Sequence, residues 1–259
     1  MTPTGVTIAG VGGLLFGSFA NVVVWRVPRK ESIVSPGSRC PGCARALAWY
    51  ENIPLVSWVA LRGRCRTCKA AISIRYPIVE LLMGALFALF AARLTRTTDL
   101  IAYLPLVWAL VVLSFIDAEH KLLPNKIVYP TTVAGVVLLA IAAALGPGIG
   151  RFGTALIGGA AAFVFFFLIA LVYPAGMGMG DVKLSFLLGM MLGYLPKAGA
   201  RVFLGLFLGF FIGAVGGIAL IAARKGGRKS QIPFGPYLVA GTIIGVLWGG
   251  NLIQVWLGR

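Results

Sequence analysis

The chain has 259 residues, 59% apolar and only 12% charged, with a mean hydropathy of +0.94. Those values exclude an ordinary soluble globular domain. A net charge of +16 would suit a nucleic-acid binder, but the placement of the basic residues argues for membrane topology and against nucleic acid.

In chain order, apolar runs close to the ~20 residues of a spanning helix cover about 5–25, 77–94, 99–116, 127–145, 152–173, 182–195, 202–223 and 236–257. The expected class is therefore an all-α polytopic membrane protein with about eight transmembrane helices. The first run has no basic region before it and no convincing small-residue cleavage site, so it reads as a retained helix and not a signal peptide. The sixth run is short and rich in glycine. Gly13 and Gly17 in the first run, and Gly205, Gly209, Gly213 and Gly217 in the seventh, repeat every four residues and read as stripes for close helix contact.

The sizeable polar portion lies between the first two runs. The chain divides on this reading into 1–25, a first helix; 26–76, a small cytoplasmic domain; and 77–259, a transmembrane portion. Placing 26–76 in the cytoplasm and alternating from there puts 17 of the 23 basic residues on the cytoplasmic side and six outside. This follows the positive-inside rule, with both termini on the far side. The basic loop 224–229 would then face anionic lipid.

Cys40-Pro-Gly-Cys43 and Cys65-Arg-Thr-Cys68 use all four cysteines, and both lie within 26–76. Paired C-x-x-C knuckles about twenty residues apart match a tetrahedral four-cysteine Zn2+ site. A membrane thiol oxidoreductase is the rival reading, but its disulfide cycling belongs outside the cytoplasm.

The chain contains seven acidic residues. Asp117 ends the third apolar run, and Asp181 closes Gly176-Met-Gly-Met-Gly-Asp181 ahead of the sixth. Ionisable groups at a membrane are costly and mark functional sites by default. The topology places both on the cytoplasmic face, where an ionised and a protonated carboxylate together could hydrolyse a peptide. Two close carboxylates cannot both ionise readily, so their apparent pKa values should split. The glycines before Asp181 would let the backbone bend. A polytopic scaffold or transporter binding a cation or proton at these aspartates stays open on the residues alone. Glu119 is an alternative partner, and Asp117 has a plain structural reading as a helix-end residue paired with Lys121. Lys121 and Lys183 could also oppose the upward shift. His120, the single histidine, either tunes Asp117 or sits at the interface. Glu80, inside an apolar run, should be protonated or paired with Arg26 or Arg75.

Several of these stretches together resemble the bacterial type IV prepilin peptidases, which are GxGD aspartic proteases. The resemblance runs from Gly17 to about Tyr237 and is carried by Gly17-Ser-Phe-Ala-Asn21-Val-Val-Val-Trp-Arg26-Val-Pro28, the cysteine knuckles and Asn52-Ile-Pro-Leu-Val-Ser-Trp58. It continues through Leu61-Arg-Gly-Arg-Cys65, Ser73-Ile-Arg-Tyr-Pro77-Ile-Val-Glu80, Asp117 with Leu122-Leu-Pro124, the GxGD run and Pro233-Phe-Gly-Pro236. Family members often carry an aspartate directly after the Leu-Pro; here that position is Asn125, which leaves Asp117 as the partner of Asp181. The resemblance implies a bifunctional inner-membrane enzyme, with its active site at the cytoplasmic face. It would cleave the basic leader from type IV prepilins or pseudopilins with Asp117 and Asp181 as the catalytic dyad. It would then methylate the new N-terminus from S-adenosylmethionine. The stretch the family associates with methyl transfer corresponds to Gly63 and Arg64. A tight turn into the second knuckle explains those two residues equally well.

Overall fold

The computed structural model describes residues 2–174, 176–222 and 233–256. Among them the regular structure is helical, apart from two isolated β-bridges. The basic loop 224–229 and the C-terminal residue lie outside the described residues. The chain forms two compact units, Met1–Thr95 and Arg96–Arg259.

The first unit is built on α1 (Pro3–Arg26) and α3 (Arg75–Arg93). Thr2 caps α1 by accepting from Gly5 N, and Pro3 occupies the first turn, where its missing N–H costs nothing. The two helices meet where α1 has no side chains. A Cβ on Gly13 would sit 2.6 Å from Met83 O, and one on Gly17 2.7 Å from the Glu80 Cα. The small-residue stripe expected in the first run is thus the α1–α3 contact. Between these helices run a 3₁₀ turn at Trp49–Asn52 and the short α2 (Val56–Ala60).

The second unit contains α4 (Thr97–His120), α5 (Asn125–Ala144), α6 (Ile149–Val172), α7 (Met179–Gly193), α8 (Ala198–Ala222), α9 (Gly235–Leu247) and α10 (Gly249–Trp256). Gly205 and Gly209 of α8 fulfil the stripe expectation against α9, where a Cβ on Gly241 would lie 2.3 Å from Gly209 N. A second glycine contact joins α6 to α7, with Gly158 and Gly189 backbone to backbone.

All eight apolar runs fall in helix, but among the described residues six helices are long and apolar enough to cross a membrane, or seven if the last bent pair is one span. Two expectations change. The run 182–195 belongs to α7, whose 15 residues rise ~22 Å and fall short of a ~30 Å hydrocarbon core. The run 236–257 breaks at Trp248 into α9 and α10, bent by 77°. Arg201 makes that break tolerable. Its guanidinium donates to Gly245 O and Val246 O at 2.8 and 3.0 Å, and to Pro196 O at 2.9 Å. Carbonyls freed by a broken helix are thereby satisfied within the protein.

Candidate active site and metal centre

Asp117 occupies the last turn of α4. The helix stops there because Lys121 adopts a left-handed conformation (φ 53°) and its N–H caps Asp117 O at 2.7 Å. The expected link between Asp117 and Lys121 is this backbone cap and not an ion pair among the described residues. The Asp117 side chain is 6% exposed, and its Oδ2 accepts the Gly235 N–H at 3.0 Å. Gly235 opens α9, and a Cβ there would lie 2.9 Å from the same oxygen. Only a glycine lets the backbone come this close.

Asp181 is the third residue of α7, after the N-cap Gly178. Its carboxylate lies back over the start of the helix, where a Cβ on Gly178 would sit 3.3 Å from Asp181 Oδ2. Its Oδ1 is buried without a hydrogen-bond partner. Asp117 and Asp181 lie within electrostatic range of each other. Leu123 packs between their supports: it touches the positions of a Cβ on Gly180 at 3.0 Å and of one on Gly235 at 3.5 Å. None of Gly176, Gly178 and Gly180 has positive φ. A Cβ on Gly180 would press on Leu123 at 3.0 Å, the close approach expected of this run.

The four cysteines converge within the first unit. Their sulfurs all lie within 4.8 Å of one another, with Cys40 and Cys68 Sγ 3.7 Å apart. A tetrahedral site with Zn–S bonds of ~2.3 Å needs S···S edges of ~3.8 Å, so this donor set fits Zn2+. The knuckles repeat each other 25 residues apart. Cys40 N donates to Arg45 O and Cys65 N to Ala70 O, Ala44 and Lys69 both have positive φ, and Arg39–Ala46 and Arg64–Ala71 form the two bridges. Backbone N–H groups of Cys68 and Thr67 pull the Cys65 thiol down to about 6, favouring the thiolate a metal needs. A Cβ on Gly42 would sit 3.1 Å from Ala70 Cβ and 3.5 Å from Cys68 Sγ, so its absence lets the knuckles close together.

Residues 11–94 match the Bacterial Peptidase A24 N-terminal domain, and residues 104–218 match the Type IV leader peptidase family. The chain belongs to the type IV leader peptidase family. Similar proteins carry the name prepilin leader peptidase/N-methyltransferase. One from Myxococcus xanthus is 44% identical over 225 residues, spanning 85% of this chain and 64% of that protein. Another, from Aeromonas salmonicida, is 36% identical over 94% of this chain and 91% of that protein. A third, from Bacillus subtilis, is 31% identical over 97% and 98%. No solved structure matches.

Other expected residues take definite places in this leader peptidase. Gly63 has φ 65° and is buried under Trp58, whose ring would lie 2.9 Å from an added Cβ. Trp58 Nε1 donates to Ile72 O at 3.3 Å, so indole and glycine together shape the turn into the second knuckle. Arg64 beside it is exposed. Glu80 pairs with neither Arg26 nor Arg75. Its Oε2 instead accepts the Leu55 N–H at 2.8 Å. Arg26 donates to Ser32 O and Gly37 O. His120 is exposed, with its Nε2 4.0 Å from Glu119 Oε2. Lys183 turns to α5, where its ammonium donates to Asn125 Oδ1 at 3.2 Å and lies over the Tyr129 ring.

Sequence reasoning missed Gly235 as the donor to Asp117, although Pro233-Phe-Gly-Pro236 stood out as a motif. It also missed Glu51. This residue is paired with Arg45 at 2.7 Å and accepts Ala48 N–H at 2.8 Å. The Arg45 guanidinium, then that N–H, hold the Glu51 carboxyl down to about 2. The pair braces the first knuckle against the 3₁₀ turn, and no motif announces it.

Proposed function

We propose that the chain is a membrane-embedded aspartic endopeptidase that removes the basic leader of type IV prepilins or pseudopilins and then N-methylates the new N-terminus. One observation carries the peptidase reading: two carboxylates in electrostatic range, with Asp117 Oδ2 accepting the Gly235 N–H and Asp181 Oδ1 buried and unpartnered. A buried oxygen without a partner is rare unless something else is meant to meet it. Membership of the leader peptidase family and the names of its relatives support the same reaction.

The chemistry follows from the pair. One ionised carboxylate takes a proton from water as it attacks the scissile carbonyl, and the protonated partner gives its proton to the carbonyl oxygen. Collapse of the resulting diol breaks the C–N bond, with the amine taking a proton as it leaves. The pair titrates as a unit, so the two roles belong to the dyad and not to either aspartate alone. Held by Gly235, the Asp117 carboxylate needs little rearrangement at the moment of reaction.

Cys40, Cys43, Cys65 and Cys68 would hold Zn2+ as a structural metal, four thiolates being the donor set of such sites. Its work is to fold 26–76, the cytoplasmic zinc-binding segment. When bound, S-adenosylmethionine supplies the methyl group. We assign its site to the turn at Gly63 and Arg64: Gly63 sets the shape under Trp58, and the exposed Arg64 would be the cation for the donor's carboxylate. The peptidase activity resides in 77–259. The positive-inside count supports a multi-pass inner-membrane protein with periplasmic termini and the dyad at the cytoplasmic face, against anionic lipid.

The decisive experiment incubates purified enzyme with a prepilin, with and without S-adenosylmethionine. Wild type yields a shortened, methylated product, whereas Asp117→Asn and Asp181→Asn yield neither. Cleavage near the wild-type rate in either variant would falsify the assignment of the dyad.

A further inference from the structure

At the end of α4 and α7 remote from Asp117 and Asp181 lies a second buried polar cluster that the reaction does not use. Asp99, in the first turn of α4, is 5% exposed; Tyr103 and Tyr194 are fully buried. Tyr194, the C-cap of α7, donates its hydroxyl to Asp99 Oδ1 at 3.0 Å. In the opposite sense, Tyr103 of α4 donates to the carbonyl of Met191 in α7. That carbonyl is one of the last four of its helix, which have no intrahelical partner. The two rings lie 6.2 Å apart. Arg96, Arg151 and Arg201 stand within electrostatic range of the tyrosines.

α4 and α7 are the helices that carry the dyad. Asp99 precedes Asp117 by 18 residues, about 27 Å of helix, and Tyr194 follows Asp181 by 13, about 20 Å. They are not consecutive, since α5 and α6 intervene. Apolar packing in a bilayer gives little directional hold on how far one helix slides along another, because lipid tails replace side chains at small cost. A reciprocal pair of hydrogen bonds, one in each direction, does fix that register. From this we propose that Asp99, Tyr103 and Tyr194 form a positioning clasp that sets the axial register of α4 against α7, and so the separation of Asp117 and Asp181 at the other end. The inference rests on the dyad reading above.

The clasp acts on the geometry of the reacting groups and not on substrate binding. A displacement of about 1 Å at a catalytic group can cost about a hundredfold in rate. Tyr194→Phe and Tyr103→Phe keep the buried rings and remove only the hydroxyls. In the purified full-length enzyme, each should lower kcat for leader cleavage about tenfold with KM unchanged, and the double variant should lower it further. Methyl transfer to an already cleaved pilin should stay at the wild-type rate, since it draws on the first unit. Asp99→Leu should behave like Tyr194→Phe, while Asp99→Asn keeps a carbonyl acceptor and should recover to within about threefold of wild type. Asp181→Asn is run alongside. If it is inactive while the Tyr103→Phe/Tyr194→Phe double variant keeps a normal kcat, the clasp is wrong and the dyad stands. If Asp181→Asn cleaves normally, the dyad falls and takes the clasp with it. A loss of melting temperature with kcat intact, or Asp99→Asn as damaged as Asp99→Leu, also overturns the clasp.

Discussion

Asp117 has one oxygen tied to the Gly235 N–H and Asp181 lies against Gly178, and both glycines lie at the start of a helix. Gly235 is the more exacting of the two, because a Cβ would press on the Asp117 carboxylate itself at 2.9 Å. Gly235→Ala should cut kcat by about tenfold to a hundredfold with expression and zinc content normal; full activity in a peptide-cleavage assay would refute the close-approach argument. Glu119→Gln, by contrast, changes an exposed residue beside His120 and should leave cleavage intact. At the zinc site, replacing any one cysteine by serine should release the metal, measured as moles of zinc per chain by mass spectrometry, because a closed structural site contributes folding energy directly. Retention of zinc in a Cys40/Cys65 double variant would show that other groups are the ligands. Gly63→Trp would unseat Trp58 and confuse loss of fold with loss of cofactor. Arg64→Glu is therefore the cleaner probe, with methylation expected to fall and cleavage to persist. Both cysteine pairs and both aspartates were legible in the sequence, since each is a rare residue type at a distinctive spacing. Gly235 and Glu51 were not, because their meaning lies in a contact made across 118 residues in one case and, in the other, in the ion pair of a buried glutamate that no motif marks.

Among the helices, close contacts are made by glycine facing backbone. The α8–α9 contact is as tight as the α6–α7 one, and it bears on the candidate site because α9 begins at Gly235. Gly241→Leu would place side-chain atoms where a Cβ already lies 2.3 Å from Gly209 N. Overpacking of this kind costs about 1–3 kcal/mol, and tilting α9 should pull the Gly235 N–H from Asp117. Thermal stability and cleavage should fall together in that variant, whereas Gly199→Ala, with open space around it, should change neither. The α8 stripe could be read ahead of the structure because its glycines recur every four residues. The α6–α7 contact could not, since Gly158 and Gly159 are adjacent and Gly189 and Gly193 sit in a run already marked as merely short and glycine-rich.

Over the whole molecule, charge asymmetry decides orientation, and labelling can check it. Single reporters at positions 96, 148 and 198 should respond from the side opposite to reporters within 30–60. A periplasmic response from 30–60 would overturn the orientation and bring back the thiol-oxidoreductase reading. Counting spans from apolar runs gave eight, and the shortfall has two physical sources. A run of hydropathy does not reveal that α7 is too short to reach across, nor that Trp248 interrupts the last helix.

That interruption links distant positions under mutation. Arg201 reaches Gly245 O and Val246 O from another helix, and the space for its guanidinium exists only because residues 249 and 250 are glycine: a Cβ would come within 3.2 and 2.8 Å of its nitrogens. Arg201→Lys keeps the charge but loses the planar fork that serves several carbonyls at once, so a nominally conservative change should be poorly tolerated. Gly249→Ala and Gly250→Ala should be harmful beside Arg201, yet nearly silent once Arg201 has already been replaced. These three sites, nearly fifty residues apart in the chain, should therefore vary as a group, with their effects departing from additivity.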